Sequence, residues 1–98
     1  MENFNVNITV NDCCYNKCHT SNNSITKIFN STDDFIPLQC CYYLKIISVT
    51  STYILISIDN GVIHFVRRAF IGVPLKICIP NNCSTHIITI TVNSITVS

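Results

Sequence analysis

The chain has 98 residues, a net charge of +1 and only 11% charged residues, against roughly 25% in an ordinary soluble domain. This length allows one domain, and the six Lys and Arg residues form no basic patch of the kind that nucleic-acid binding requires. Ile, Val, Thr, Tyr and Phe are abundant, whereas Ala occurs only at Ala69. The composition therefore predicts an all-β domain that does not bind nucleic acid.

Residues 3–10 alternate between polar and apolar side chains. Phe4, Val6, Ile8 and Val10 fall on one face, and Asn and Thr fall on the other. This two-residue period is typical of a half-buried strand. Such a strand at a chain end can complete its own sheet or be donated to the sheet of a neighbouring copy. We expect these four residues to form a strand-exchange arm.

Residues 15–24 are polar and carry no apolar pattern, which predicts a loop or extended linker. We therefore expect two parts: an N-terminal connector arm and linker over residues 1–24, and a folded domain over residues 25–98.

The rest of the chain alternates between short apolar runs and turn signals. Asp59-Asn60-Gly61 is a strong hairpin signal because it separates two apolar runs. The pattern predicts about eight short strands in a β-sandwich or jelly roll with an N-terminal extension. The predicted strands of the folded domain are residues 25–29, 35–49, 53–58, 62–71, 75–79, 85–92 and 95–97.

Residues 42–58 are mostly apolar, with Lys45 as the only charge. Five Ser and Thr residues interrupt the run, and a transmembrane helix needs about 20 predominantly apolar residues. Two buried strands joined at residues 50–52 explain the pattern better, so we expect no membrane segment.

Seven cysteines are unusual in so short a chain, and their odd number leaves at least one thiol unpaired or paired with another chain. Adjacent residues on a strand point to opposite faces, and vicinal cysteines rarely bond each other. Each vicinal pair can therefore reach two different partners. An intrachain framework and interchain pairing both remain open. The candidate disulfide residues are Cys13, Cys14, Cys18, Cys40, Cys41, Cys78 and Cys83.

Metal binding and catalysis are both weakly indicated. Cys18-His19 together with Cys78, Cys83 and His86 could supply thiolate and imidazole ligands, but their spacings match no standard zinc pattern. A nucleophile and base adjacent in sequence rarely have the required geometry, and Cys18-His19 has no evident third group. We expect no metal, no cofactor and no enzymatic activity.

The cysteine content indicates an oxidising compartment, yet residues 1–12 have neither a basic region nor an apolar region of a secretory signal. We therefore expect a protein that is made in a cytosol without a classical signal peptide and becomes oxidised later or elsewhere; a leader that has been removed is the alternative. Release by cell lysis, viral assembly and metal protection of the thiols all fit this pattern.

The segment Val10-Asn11-Asp12-Cys13-Cys14 resembles the N-terminal connector of endospore appendage (Ena) subunits from spore-forming Firmicutes. In that family an apolar residue and short spacer precede a Cys-Cys pair and a later cysteine, and a jelly-roll body follows.

The resemblance implies that connector cysteines form disulfides with body cysteines of subunits further along a fibre. It also implies that no signal peptide is needed, because the subunits are made in a mother cell that lyses. Carried over to this chain, it makes Cys13 and Cys14 the donors. The receivers would be Cys40 or Cys41 and Cys78 or Cys83.

We therefore expect a self-assembling structural subunit of an extracellular or spore-surface fibre, a head-to-tail homopolymer cross-linked by disulfides. The alternative is a secreted or viral cysteine-rich β-sandwich binding module with intrachain disulfides. A third hypothesis is a metal-thiolate protein.

Overall fold

The computed structural model describes residues 3–16, 20–80 and 84–97. Across these residues it contains eight β-strands and one 3₁₀ helix. The 3₁₀ helix spans Gln39–Cys41. The strands are β1 (Phe4–Asn16), β2 (Thr20–Phe29), β3 (Phe35–Pro37), β4 (Tyr43–Val49), β5 (Tyr53–Asp59), β6 (His64–Phe70), β7 (Leu75–Pro80) and β8 (Ser84–Val97).

The strands form two four-stranded antiparallel sheets. The long sheet has the order β2-β1-β8-β7 and the short sheet has the order β3-β4-β5-β6. The inner faces of both sheets contribute to one hydrophobic cluster that includes Val10, Phe29, Ile46, Ile56 and Ile90. The all-β class and the eight-stranded β-sandwich are therefore confirmed.

The connectivity separates the two predicted architectures. A jelly roll is built from two Greek keys, whereas the short sheet here is a meander of four consecutive strands. The long sheet consists of the hairpins β1–β2 and β7–β8, joined by pairing of β1 with β8. The chain is thus a sandwich of one four-stranded meander and one sheet of two paired hairpins, and the jelly-roll alternative is wrong.

The local strand predictions agree with the structure in part. The predicted strand 35–49 is divided into β3 and β4 by the 3₁₀ helix, and the predicted strands 85–92 and 95–97 form the single strand β8. The apolar run 42–58 is divided between β4 and β5, as predicted. The Asp59-Asn60-Gly61 turn joins β5 to β6, and Gly61 has a φ of 92°, the left-handed conformation that glycine adopts readily. In the described residues, no helix is long and apolar enough to span a membrane.

The expected linker at residues 15–24 is wrong for the residues that the structure describes. Tyr15 and Asn16 end β1, and residues 20–24 begin β2, where they pair with residues 11–15 of β1. No strand signal is visible at the level of sequence because residues 20–24 are all polar, so neither face of β2 carries an apolar side chain there. Backbone pairing with β1 extends the strand through these residues.

Candidate functional site

The N-terminal residues expected to form an exchange arm lie in the middle of the chain's own long sheet. Val6, Ile8 and Val10 are fully buried, and Phe4 packs partly buried against the same core. β1 has β2 on one side and β8 on the other. The division into an arm and a separate body is therefore not the arrangement of this chain, because β1 supplies part of the core.

The candidate site is one end of the long sheet, which we call the cysteine end. β1 has 13 residues and β8 has 14, whereas the strands of the short sheet have seven at most. The molecule is accordingly elongated, with extents of 47 × 25 × 17 Å. Cys13, Cys14 and Cys78 lie toward this end of the long sheet. The start of β1 and the end of β8 pair with each other at the opposite end.

Cys13 and Cys78 lie in the same row across the long sheet. Cys13 pairs with Ile87 of β8, and Ile87 pairs with Cys78 of β7, so the two thiols lie on the same face. That face points outward, because the neighbouring residue Asp12 is only 1% exposed on the inner face. Cys78 is exposed and Cys13 is half-buried.

These two thiols are free, and they cannot bond each other. Neighbouring strands are about 4.8 Å apart, so Cα atoms two strands apart are separated by roughly 10 Å. A disulfide requires Cα atoms within about 4.4–6.8 Å. Oxidation of Cys13 or Cys78 therefore needs a different partner.

Asp12 holds the 3₁₀ helix against β1. Its Oδ2 accepts a hydrogen bond of 2.7 Å from the backbone N–H of Gln39, and its carbonyl oxygen accepts one of 2.9 Å from Nε2 of Gln39. Cys13 follows Asp12, and Cys40 follows Gln39. The two hydrogen bonds thus bring the two vicinal cysteine pairs to the same end of the molecule, although 27 residues separate Asp12 from Gln39.

This contact was missed at the level of sequence, where Asp12 counted only as part of the connector motif. A signal was present, however. Position 12 continues the inward-facing series Val6, Ile8 and Val10, so an acidic residue there has to find hydrogen-bond donors once it is buried. The backbone N–H of Gln39 is one such donor.

Cys41 is a third free thiol and is exposed. Its φ is 65°, in the left-handed region that disfavours residues with a Cβ. Backbone strain of this kind is common at functional positions. The chain keeps a cysteine at an exposed position where glycine would meet less steric resistance.

This conformation gives a testable difference between two variants. Cys41→Gly is expected to be more stable than Cys41→Ala by about 1 kcal/mol, because only alanine retains the steric penalty of the left-handed conformation. Both variants remove the thiol, so each serves as the control for the other. Urea unfolding under reducing conditions measures the difference, and equal stabilities would contradict it.

The remaining predicted cysteines are only partly described. Cys18 and Cys83 lie outside the described residues, as do the side chains of Cys14 and Cys40. The flanking strands are described, and Asn16 at the end of β1 is the register partner of Ser84 at the start of β8. Among the described residues, no cluster of three or more His, Cys, Asp or Glu side chains could hold a metal ion.

The fold and this site define the class of protein: a small two-sheet β-sandwich with free surface thiols gathered toward one end of its longer sheet. Comparison with protein families, with curated proteins and with solved structures gives no match.

Proposed function

We propose that this chain is a non-enzymatic, self-assembling structural subunit whose copies are linked by disulfides through the cysteine end. The observation that carries this proposal is the set of free thiols at Cys13, Cys41 and Cys78. Surface thiols without an intrachain partner form intermolecular disulfides when the surroundings become oxidising. The proposed partners are further copies of the same chain.

Two further observations support assembly. The chain has few charges to keep copies apart, and large apolar side chains remain exposed at Ile28, Val62 and Val73. The sequence resemblance at residues 10–14 extends the proposal to an extracellular fibre or spore appendage, although these residues belong to β1 here. Because β1 belongs to the chain's own core, the proposed links are disulfides between folded subunits and not strand exchange.

The thiols lie on two sides of the cysteine end. Cys13 and Cys78 are on the outer face of the long sheet, whereas Cys41 belongs to the 3₁₀ helix held at the inward-facing Asp12. A subunit with linkage points on two sides can bond two neighbours. Head-to-tail contacts of this kind propagate into a filament unless their rotation closes a ring.

The proposal predicts a disulfide-dependent ladder. After oxidation, the protein is expected to run as multimers in non-reducing electrophoresis and to form regular filaments in electron micrographs. The combined variant Cys13→Ser, Cys41→Ser and Cys78→Ser should shift most of the protein to the monomer band. Thr89→Ser is the matched control, because Thr89 pairs with Lys76 on the same face as Cys78, and this variant should still form the ladder.

Regular filaments in the micrographs distinguish specific assembly from random thiol oxidation, which would give irregular aggregates. A clean monomer after oxidation, or a ladder unchanged in the triple variant, would remove the proposal. Filaments that survive full reduction would show that non-covalent contacts hold the assembly.

The second candidate function is a secreted or viral binding module with intrachain disulfides only. It is favoured by the Asp12–Gln39 hydrogen bonds, which bring the Cys13-Cys14 and Cys40-Cys41 segments of one chain together. Non-reducing peptide mapping distinguishes the two functions. A peptide containing residues 13 and 14 joined to one containing residues 40 and 41, in a monomeric protein, would support the binding module.

A further inference from the structure

The outward face of the short sheet carries an open groove with a volume of about 560 Å³, within the usual range of ligand sites. Phe35, Lys45 and Ser57 lie in one row across β3, β4 and β5, and Tyr43 and Asp59 lie in a row two residues away. Because side chains two residues apart share a face, all five line the same groove.

One wall of the groove is aromatic. The rings of Phe35 and Tyr43 meet edge to face, with centroids 5.5 Å apart and planes at 73°. Both side chains are nearly half exposed, at 44% and 46%. Their π-faces carry partial negative charge, which attracts the C–H groups on the face of a pyranose ring.

The floor of the groove carries an unused hydroxyl. Ser57 is only 8% exposed, and none of the hydrogen bonds found among the described residues involves its side chain. Buried hydroxyls normally have a hydrogen-bond partner. An exposed groove whose floor carries a buried hydroxyl with no partner among the described residues is suited to a ligand that brings its own donor or acceptor.

The remaining polar groups balance in charge. Lys45 offers donors, and Asp59 offers acceptors on a carboxylate that is already oriented by a 2.5 Å hydrogen bond from the backbone N–H of Gly61 to Oδ1. One positive and one negative side chain favour a neutral ligand over an anion or a cation. Sugar hydroxyls can use both groups, since each hydroxyl donates and accepts.

We propose that this groove binds a neutral carbohydrate. The sugar ring packs against the wall formed by Phe35 and Tyr43, stacking on the face of one ring because the two planes stand at 73°, and its hydroxyls bond Ser57, Lys45 and Asp59. This activity is independent of the proposed disulfide assembly, because the groove lies on the short sheet and its described lining residues include no cysteine.

The test is titration of the ¹⁵N-labelled full chain with cellotriose, maltotriose and chitotriose, in reductant so that the protein stays monomeric. At least one sugar is expected to shift the backbone amide signals of residues 43–45 and 57–61. Galacturonic acid is the charged comparison. Absence of shifts at the highest soluble sugar concentrations, or tighter binding of the acid than of the neutral sugars, would overturn the proposal.

Variants identify the groove as the site. Phe35→Ala and Ser57→Ala are each expected to weaken binding about five- to tenfold, the effect of losing one contact. Phe70→Ala is the matched control, because Phe70 is also 44% exposed but lies outside this groove, beside Tyr53. Ser57→Ala should leave Tm unchanged or raise it, since it removes a buried hydroxyl for which the described part of the chain offers no partner.

If Ser57→Ala loses sugar binding but keeps or raises its Tm, the loss cannot be explained by general damage to the fold. Equal weakening by Phe70→Ala would contradict the assignment of the site. Self-association without sugar that Phe35→Ala abolishes would show that a second copy occupies the groove, and would also overturn the proposal.

Discussion

Replacing Ile8 with alanine is expected to lower the free energy of unfolding by about 3–4 kcal/mol, a large part of the roughly 5–15 kcal/mol that stabilises an ordinary domain. Ile8 is fully buried in the central strand β1, where it pairs with residues of both β2 and β8. Rigid backbone on both sides prevents the surrounding residues from filling the cavity. Urea unfolding in reductant, followed by circular dichroism, measures the change.

Asn5→Ala is the matched control, because Asn5 is exposed on the same strand. Its effect should stay within about 0.5 kcal/mol. The same experiment tests strand exchange. If β1 completes its own chain's sheet, the unfolding midpoint is independent of protein concentration, whereas an exchanged strand gives a midpoint that falls on dilution. A midpoint that falls on dilution would restore the exchange-arm hypothesis.

Replacing Asp12 with alanine is expected to lower the free energy of unfolding by about 2–4 kcal/mol. The substitution removes the acceptor of the 2.7 Å hydrogen bond from the Gln39 N–H at a part-buried site, and a hydrogen bond to a charged group is worth more than one between neutral groups. The 3₁₀ helix should then separate from β1 more readily. Thermal unfolding and hydrogen exchange at the Gln39 amide measure the two effects.

Asp33→Ala is the control for charge, since it also removes one carboxylate but from an exposed turn. It should change stability by less than about 0.5 kcal/mol. Asp12→Asn should fall between the two, because its amide oxygen still accepts a hydrogen bond from the Gln39 N–H while the negative charge is lost. Unchanged protection of the Gln39 amide in Asp12→Ala would show that other contacts hold the 3₁₀ helix.

Structural features that depend only on residues close together in the chain could be predicted from the sequence. The alternation from Phe4 to Val10 identified β1, since a strand repeats every two residues. The Asp59-Asn60-Gly61 signal located the β5–β6 turn, which depends on the conformations of a few adjacent residues. Composition was sufficient for the all-β class, because the side chains that favour strands dominate the chain.

The sequence by itself determined the strand content, most strand positions and the surplus of cysteines. Only the tertiary structure decided that β1 is a central strand, that the polar start of β2 is also a strand, and that Asp12 brings the two vicinal cysteine pairs to the same end. The physical reason is that strand order and buried hydrogen bonds join residues far apart in the chain. A local sequence pattern does not identify these distant partners.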